Sequence, residues 1–344
     1  MPHDAAPERI LVWGTGAIGG TVAAYLRRAD FEITAVDSNA SQVRAIRARG
    51  LAITGPVETF TETIPIFAPD EVDGVWDTIL LCVKALHTRP AVRQLERHLA
   101  DDGVVVSLQN GFNELVISGG LGAARTMGAF INFGADVLEP GVIHFGGRGA
   151  VVVGELDGRA TPRLARIRAA LAHFEPETMT TENIWGYLWG KTGYGSLLFA
   201  SALTEASIVE VLGSREARPA LAALAREVTA VARAEGVEVM GFNGYDPAAF
   251  EAGADPSVID ASFAAMVTFN RRSAKTHSGV WRDIAVHHRK TEAEPHFTPV
   301  LELARRHGLA VPHVERLLVL MRDVETGVRR QSWDNLARLA GTVG

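Results

Sequence analysis

The sequence predicts an α/β fold, an N-terminal doubly wound parallel sheet followed by an all-α C-terminal domain. Three observations carry this reading. Before Thr126, short β-rich runs alternate with helical stretches. The first of these runs ends in a glycine-rich turn that opens a helix. After about Thr181, nearly every periodic segment has helical spacing. A chain of 344 residues, 47% hydrophobic and 22% charged, can bury a large core, and the change of texture divides it into domains at residues 1–181 and 182–344.

The elements follow in order. Arg9 to Trp13, Glu32 to Val36, Thr78 to Val83 and Val104 to Leu108 are apolar or β-branched runs of strand length. Ala17 to Arg28, Ser41 to Arg49 and Pro90 to Leu99 supply helices between them, which is the pattern of a parallel sheet. From Thr126 to Glu155 the chain becomes rich in glycine, with Gly134, Gly141, Gly146, Gly147 and Gly149, and antiparallel strands at the far edge of the sheet fit best. Pro162 to Phe174 is helical. The C-terminal helices are expected at Ile184 to Leu198, Ala217 to Glu235, Ser257 to Asn270, Thr298 to His307 and His313 to Gly327, with a loop at Gly241 to Pro247.

Gly14, Gly16 and Gly19 form a GxGxxG turn directly after the run Ile10-Leu11-Val12-Trp13, and Asp37 closes the next run 18 residues after the last glycine. That context is a dinucleotide fingerprint. The first glycine permits the tight turn, the second lets the backbone approach a pyrophosphate, and the third lets the helix pack closely on the strand. The phosphates would meet N–H groups at a helix N-terminus, so Gly14, Gly16, Ala17, Ile18 and Gly19 are the candidate contacts. Asp37 suits the adenosine ribose hydroxyls of NAD and would repel a 2′-phosphate. No Arg or Lys appears after it until Arg44, so NAD is expected in preference to NADP.

Composition excludes other classes. The formal charge is −6 and no basic stripe stands out among the scattered arginines, which gives no support for nucleic-acid binding. One cysteine, Cys82, rules out a disulfide framework and fits a cytoplasmic protein. No window is apolar for long enough to span a bilayer, and Met1 to Arg9 lacks the pattern of a signal peptide, so no membrane partner is expected. The histidines show no metal-ligand spacing with a cysteine or carboxylate pair, and no metal is expected.

Of the 34 basic residues only four are lysines: Lys84, Lys191, Lys275 and Lys290. A lysine kept against such a bias marks a place where a titratable proton donor is needed, or it is chance. Lys84 follows the Thr78 to Val83 run and Asn110 follows Val104 to Leu108, so both stand at C-terminal strand ends, where open α/β sheets place ligands. Asn110-Gly111 also reads as a simple turn. Lys191 lies in the helix that begins at Ile184, with Trp185, Leu188 and Trp189 near enough to cover its stem.

The ordered set of GxGxxG at Gly14 to Gly19, Cys82-Val83-Lys84-Ala85, Leu108-Gln109-Asn110-Gly111, Pro140-Gly141-Val142-Ile143-His144, Trp189-Gly190-Lys191, Thr291-Glu292 and His307-Gly308-Leu309-Ala310-Val311-Pro312 resembles the ketopantoate reductase family over nearly the whole chain. The resemblance implies an N-terminal Rossmann domain, a helical C-terminal domain for substrate binding and dimerisation, an active site in the cleft between them, and often a homodimer. It implies hydride transfer between a nicotinamide cofactor and a 2-oxo or 2-hydroxy acid. The family's catalytic lysine carries over onto Lys191 and the carboxylate beside it onto Glu292, while Lys84 and Asn110 correspond to its residues near the nicotinamide.

The departures concern the substrate. The family places asparagines one and two turns after its catalytic lysine to hold the substrate's hydroxyl and carboxylate, but Thr192 to Thr204 contains no asparagine. Tyr194, Ser196 and Ser201 are candidate replacements, against the ordinary role of such hydroxyls in packing and back-bonding. In Lys275-Thr276-His277-Ser278-Gly279-Val280-Trp281-Arg282-Asp283, which aligns with the family's serine-bearing stretch, Ser278 is the remaining serine. Arg282 or Arg289 either binds a substrate carboxylate or pairs with a neighbouring acid such as Asp283 or Glu294. The expected activity is an NAD-preferring reduction of a 2-oxo acid or related polar ketone other than ketopantoate. The alternatives are a genuine NADPH-dependent 2-dehydropantoate 2-reductase and a non-catalytic NAD sensor.

Overall fold

The structure is a computed structural model that describes residues 9–272 and 276–341. Met1 to Glu8 of the N-terminal segment read above and Lys275 lie outside the described residues. The chain divides into two compact units, Met1–Ile184 and Trp185–Gly344.

The first unit is built on ten strands: β1 (Arg9–Trp13), β2 (Glu32–Val36), β3 (Leu51–Thr54), β4 (Phe60–Glu62), β5 (Ile66–Phe67), β6 (Trp76–Leu81), β7 (Leu99–Ser107), β8 (Thr126–Glu139), β9 (Val142–Glu155) and β10 (Met179–Thr180). Its helices are α1 (Ala17–Arg28), α2 (Ala40–Arg49), α3 (Thr88–Leu95), α4 (Asn113–Leu121) and α5 (Pro162–Leu171). The strands form one sheet in the order β4-β3-β9-β8-β7-β6-β1-β2-β5, with β10 paired to β9. From β5 to β8 every pairing is parallel.

The reason for the apolar run in β1 is that both faces of the sheet are covered. Ile10 and Val12 pack into one core with Val22 and Leu26 of α1. Leu11 and Trp13 pack into the other with Ala91 and Leu95 of α3 and Ile117 of α4. The chain leaves β1 for β2 on one side and returns to β6 on the other, so β1 and β6 flank the point where strand order reverses. Open sheets bind ligands beyond the C-terminal strand ends at such a point.

Two readings of this unit need correction. The glycine-rich hairpin β8-β9 is antiparallel, as its texture suggested, but it is not the edge: β9 pairs in parallel with β3, and β4 lies outside β3. The strand read as Thr78 to Val83 ends at Leu81, so Cys82 and Val83 belong to the turn that follows, although the Cys82 N–H still donates to the Trp13 carbonyl at 2.8 Å.

The second unit is helical: α6 (Ile184–Ser201), α7 (Ile208–Gly213), α8 (Arg218–Ala234), α9 (Pro256–Arg271), α10 (Gly279–Ala285), α11 (Ala293–Arg306), α12 (Pro312–Glu325) and α13 (Trp333–Leu339). Helix α6 carries Gly186, Gly190, Gly193 and Gly195, each costing roughly 1 kcal/mol of helix propensity relative to alanine. Packing explains two of them. A β-carbon on Gly190 would lie 2.0 Å from the Met240 carbonyl oxygen, and one on Gly193 would lie 2.2 Å from the Tyr245 hydroxyl. The loop that contains Met240 and Tyr245 thus presses directly onto the α6 backbone beside Lys191. Helix α11 begins at Ala293, five residues before the start expected from sequence, because Pro295 falls in the first turn, where no N–H is required, and Pro299 is tolerated inside the helix. Among the described residues no helix is long and apolar enough to cross a membrane.

Candidate active site

The glycine-rich turn has the geometry its spacing implies. Gly14 adopts φ +103°, and its N–H donates to the Val36 carbonyl at 2.7 Å, which ties the turn to β2. A β-carbon on Gly19 would lie 2.0 Å from the Gly14 carbonyl oxygen, so α1 sits as close to the turn as a glycine permits. Gly16 differs from both. It is exposed, a β-carbon there would meet nothing within 4 Å, and no side chain caps the N-terminus of α1. Ala17 and Ile18 are half-buried at the same tip. Open space before an uncapped helix N-terminus fits a dinucleotide pyrophosphate.

Asp37 is built into this turn. Its Oδ2 accepts the Thr15 N–H at 2.7 Å and the Thr15 hydroxyl at 2.8 Å, and its Oδ1 accepts the Asn39 N–H at 2.8 Å. Three of the roughly four acceptor positions of a carboxylate are used, which leaves one on Oδ1 for a ribose hydroxyl. Gln42 braces the turn from behind. Its amide donates to the Thr15 carbonyl at 2.7 Å and its carbonyl accepts the Gly141 N–H at 2.9 Å.

Lys84 is half-buried and follows β6, while Asn110 is exposed and follows β7. The loops that carry them are joined by a buried amide that sequence reading passed over. Gln109 donates to the Val83 carbonyl at 2.7 Å and to the Thr88 hydroxyl at 2.8 Å. Thr88 donates to Asn113 at 2.6 Å, and Asn113 donates back to the Asn110 carbonyl at 2.7 Å. In the run Leu108-Gln109-Asn110-Gly111, the second residue locks the loop and the third is offered to solvent. Val83-Lys84 and Asn110 are therefore held at fixed positions beyond adjacent strand ends.

In the second unit, Lys191 is half-buried on α6 and Glu292 is half-buried at the start of α11. That start is pinned by Thr291, whose N–H donates to Glu325 at 3.0 Å and whose hydroxyl bonds the same carboxylate oxygen. One turn on, His296 brings α11 against α6. Its ring packs with Phe199 at 5.2 Å between centroids, and its Nε2 would lie 3.4 Å from a β-carbon on Gly195. His296 was missed in the sequence because two prolines hide the helix that places it four residues after Glu292.

Each of the hydroxyls considered for the substrate makes a hydrogen bond within the protein. The Tyr194 hydroxyl accepts the Asn270 amide at 2.8 Å, and burial raises its pKa. Ser196 donates to the Gly193 carbonyl at 2.7 Å and Ser201 to the Leu198 carbonyl at 2.8 Å, both within α6. Ser278 caps α10 by accepting the Trp281 N–H at 3.1 Å and reaches the Leu198 carbonyl at 3.4 Å. Arg289 pairs with Asp283 at 2.7 Å, the neighbouring-acid option of the two weighed for it. Among the described residues no group of histidine, cysteine or acidic side chains could hold a metal ion.

Burial, and then the charge of Lys191, pushes His296 down to about 3. Above pH 6.5 the imidazole is neutral in both folded and unfolded chains. Below it the unfolded chain binds a proton that the native ring refuses, so the stability present above pH 6.5 is lost as pH falls towards 3. Urea denaturation is expected to show the unaltered protein losing about 2 kcal/mol more than His296→Phe between pH 7 and pH 5. Equal losses would show that the native ring protonates freely.

The chain matches known proteins over most of its length. Residues 10–158 match the family profile described as ketopantoate reductase PanE/ApbA, and residues 183–325 match its C-terminal counterpart. The chain is 29% identical over 319 residues to a 2-dehydropantoate 2-reductase of Halobacterium salinarum, covering 91% of this chain and 98% of that protein. It is 26% identical to one from Archaeoglobus fulgidus, covering 93% and 99%. Among solved structures, a D-mandelate dehydrogenase held with NADH and anilino(oxo)acetate superposes with a TM-score of 0.80 at 20% identity, covering 93% of this chain and 99% of that one. A PanE/ApbA family ketopantoate reductase from Ralstonia eutropha superposes with a TM-score of 0.78 at 24% identity, covering 93% and 99%.

Proposed function

Because the chain belongs to the ketopantoate reductase family, a family of oxidoreductases, we propose that it reduces a 2-oxo acid with a nicotinamide cofactor and prefers NADH to NADPH. The observation that carries the cofactor reading is Asp37, which is hydrogen-bonded into the glycine turn and retains one acceptor position. A 2′-phosphate brought there would face this carboxylate with no arginine or lysine on the adjoining turn. Gly14, Gly16, Ala17, Ile18 and Gly19 would hold the pyrophosphate, and Lys84 and Asn110 the nicotinamide end. The proposed division of labour is that residues 1–181 bind the dinucleotide, while residues 182–344 bind substrate and form a homodimer in the cytoplasm.

The bound nicotinamide would supply the hydride. The protein supplies the rest. As the carbonyl carbon gains hydride, charge builds on its oxygen, and the Lys191 ammonium stabilises that charge and donates the proton that completes the 2-hydroxy acid. Glu292 orients the ammonium. Lys191 then regains a proton from water.

The second reading, an NADPH-dependent 2-dehydropantoate 2-reductase, is supported by the full-length match to proteins of that name. Initial rates with ketopantoate and a panel of 2-oxo acids, in NADH and in NADPH, separate the two. The expected result is a lower Kd and faster turnover with NADH, and Asp37→Ser is expected to narrow the NADH preference by about tenfold. Brisk NADPH-linked turnover of ketopantoate would establish the second reading. Tight NADH binding without turnover of any acid would leave a non-catalytic sensor.

A further inference from the structure

His296 is a titratable group that the reaction outlined above does not use. It follows Glu292 by four residues, so both stand on one face of α11. It is only 5% exposed, with Phe199 and Phe297 at 5.2 and 4.8 Å between ring centroids. Its Nε2 is fully enclosed and has no hydrogen-bond partner among the described residues. Buried polar atoms are nearly always bonded, and an exception calls for a function or a missing ligand.

The atom stands against Gly195, one turn after Lys191 on α6, where no side chain covers it from that helix and a β-carbon would lie 3.4 Å from it. Phe199 stands one turn further along. These are the two places after the lysine where the family resemblance calls for asparagines. The nearby hydroxyls of Tyr194, Ser196 and Ser201 each bond a protein partner. One imidazole nitrogen, delivered from another helix, thus stands at this position without a protein partner among the described residues.

We propose that His296 determines substrate specificity, its Nε2 hydrogen-bonding a hydroxyl on the substrate chain beyond the carbonyl served by Lys191. The inference rests on the oxo-acid reading above. A hydroxyl fits because a neutral imidazole nitrogen can either donate to it or accept from it. A carboxylate would favour a charged ring, which burial against Phe199 and Phe297 and the nearby Lys191 charge both oppose. Sites built around such a bond discriminate strongly against analogues that lack the group.

The test uses pairs of 2-oxo acids that differ by one hydroxyl, ketopantoate with 3,3-dimethyl-2-oxobutanoate and hydroxypyruvate with pyruvate. The unaltered enzyme should favour one hydroxylated member in kcat/KM. His296→Phe, which keeps a ring among phenylalanines, should cut that preference by about 10- to 100-fold while leaving the Kd for NADH unchanged. His296→Gln, which keeps a polar atom, should retain part of it. Gly195→Ala, which sets a methyl group against Nε2, should act in the same direction as His296→Phe. An unchanged preference, or an equal loss on both members of a pair, overturns the assignment and leaves His296 as packing. If the unaltered protein reduces neither these four acids nor any other of the panel with either cofactor, the oxo-acid reading itself falls and this assignment falls with it.

Discussion

Lys191→Met is expected to lower kcat by about 100- to 10,000-fold, the range that a positioned general acid contributes, with little change in the Kd for NADH. Methionine keeps an unbranched stem for the half-buried position on α6 and removes only the ammonium. Because the charge it stabilises exists in the transition state and not in the bound acid, kcat and kcat/KM should fall together. Cofactor binding should survive because Thr15 and Asp37 belong to the first unit, which lacks Lys191. A thermal melt within a few degrees of the unaltered protein would show that the helix is intact. Full activity in this variant would remove Lys191 from the reaction.

Gly19→Ala is expected to damage fold and cofactor site at once. Its methyl group would stand 2.0 Å from the Gly14 carbonyl oxygen and 2.7 Å from the Cys82 β-carbon, distances that force α1 away from the turn. Overpacking of this kind costs about 1–3 kcal/mol, occasionally more. The same shift would disturb the Thr15 to Asp37 bonds, so the Kd for NADH should rise by at least about tenfold. Gly16→Ala provides the contrast. Its methyl group meets no protein atom within 4 Å and Gly16 has an ordinary φ of −69°, so stability should hold while cofactor affinity falls, because the methyl occupies the approach to the pyrophosphate. If both alanine variants bind NADH normally, the turn does not hold a dinucleotide.

What was legible in the sequence follows the physics of each element. β1 was readable because a strand covered on both faces is short and almost continuously apolar, β2 because its core-facing residues are apolar or β-branched, and α1 because glycine punctuates its start. β3 and β4, which extend the sheet past β9, were not, because four- and three-residue strands carry too little periodicity to separate from loop. The proline pair in α11 concealed a helical turn and, with it, the relation of His296 to Glu292. The polar residues easiest to name, Asn110, Tyr194 and Ser196, were chosen for their chemistry. Sequence holds no direct record of where a hydroxyl or amide spends its hydrogen bonds. The structure brings forward Gln109 as the brace behind Asn110, and it turns Tyr194 and Ser196 inward onto protein partners.

Hydride transfer between a nicotinamide and the carbonyl carbon of a 2-oxo acid, with Lys191 providing the proton, is the reaction proposed for this chain. Reduction of the most rapidly consumed acid with NADH deuterated at both C4 positions, followed by mass and NMR analysis of the product, tests it directly. The expected product is a 2-hydroxy acid with one deuterium at C2, formed at a rate that collapses in Lys191→Met. Cofactor that binds yet leaves no deuterium in any of the acids would contradict it.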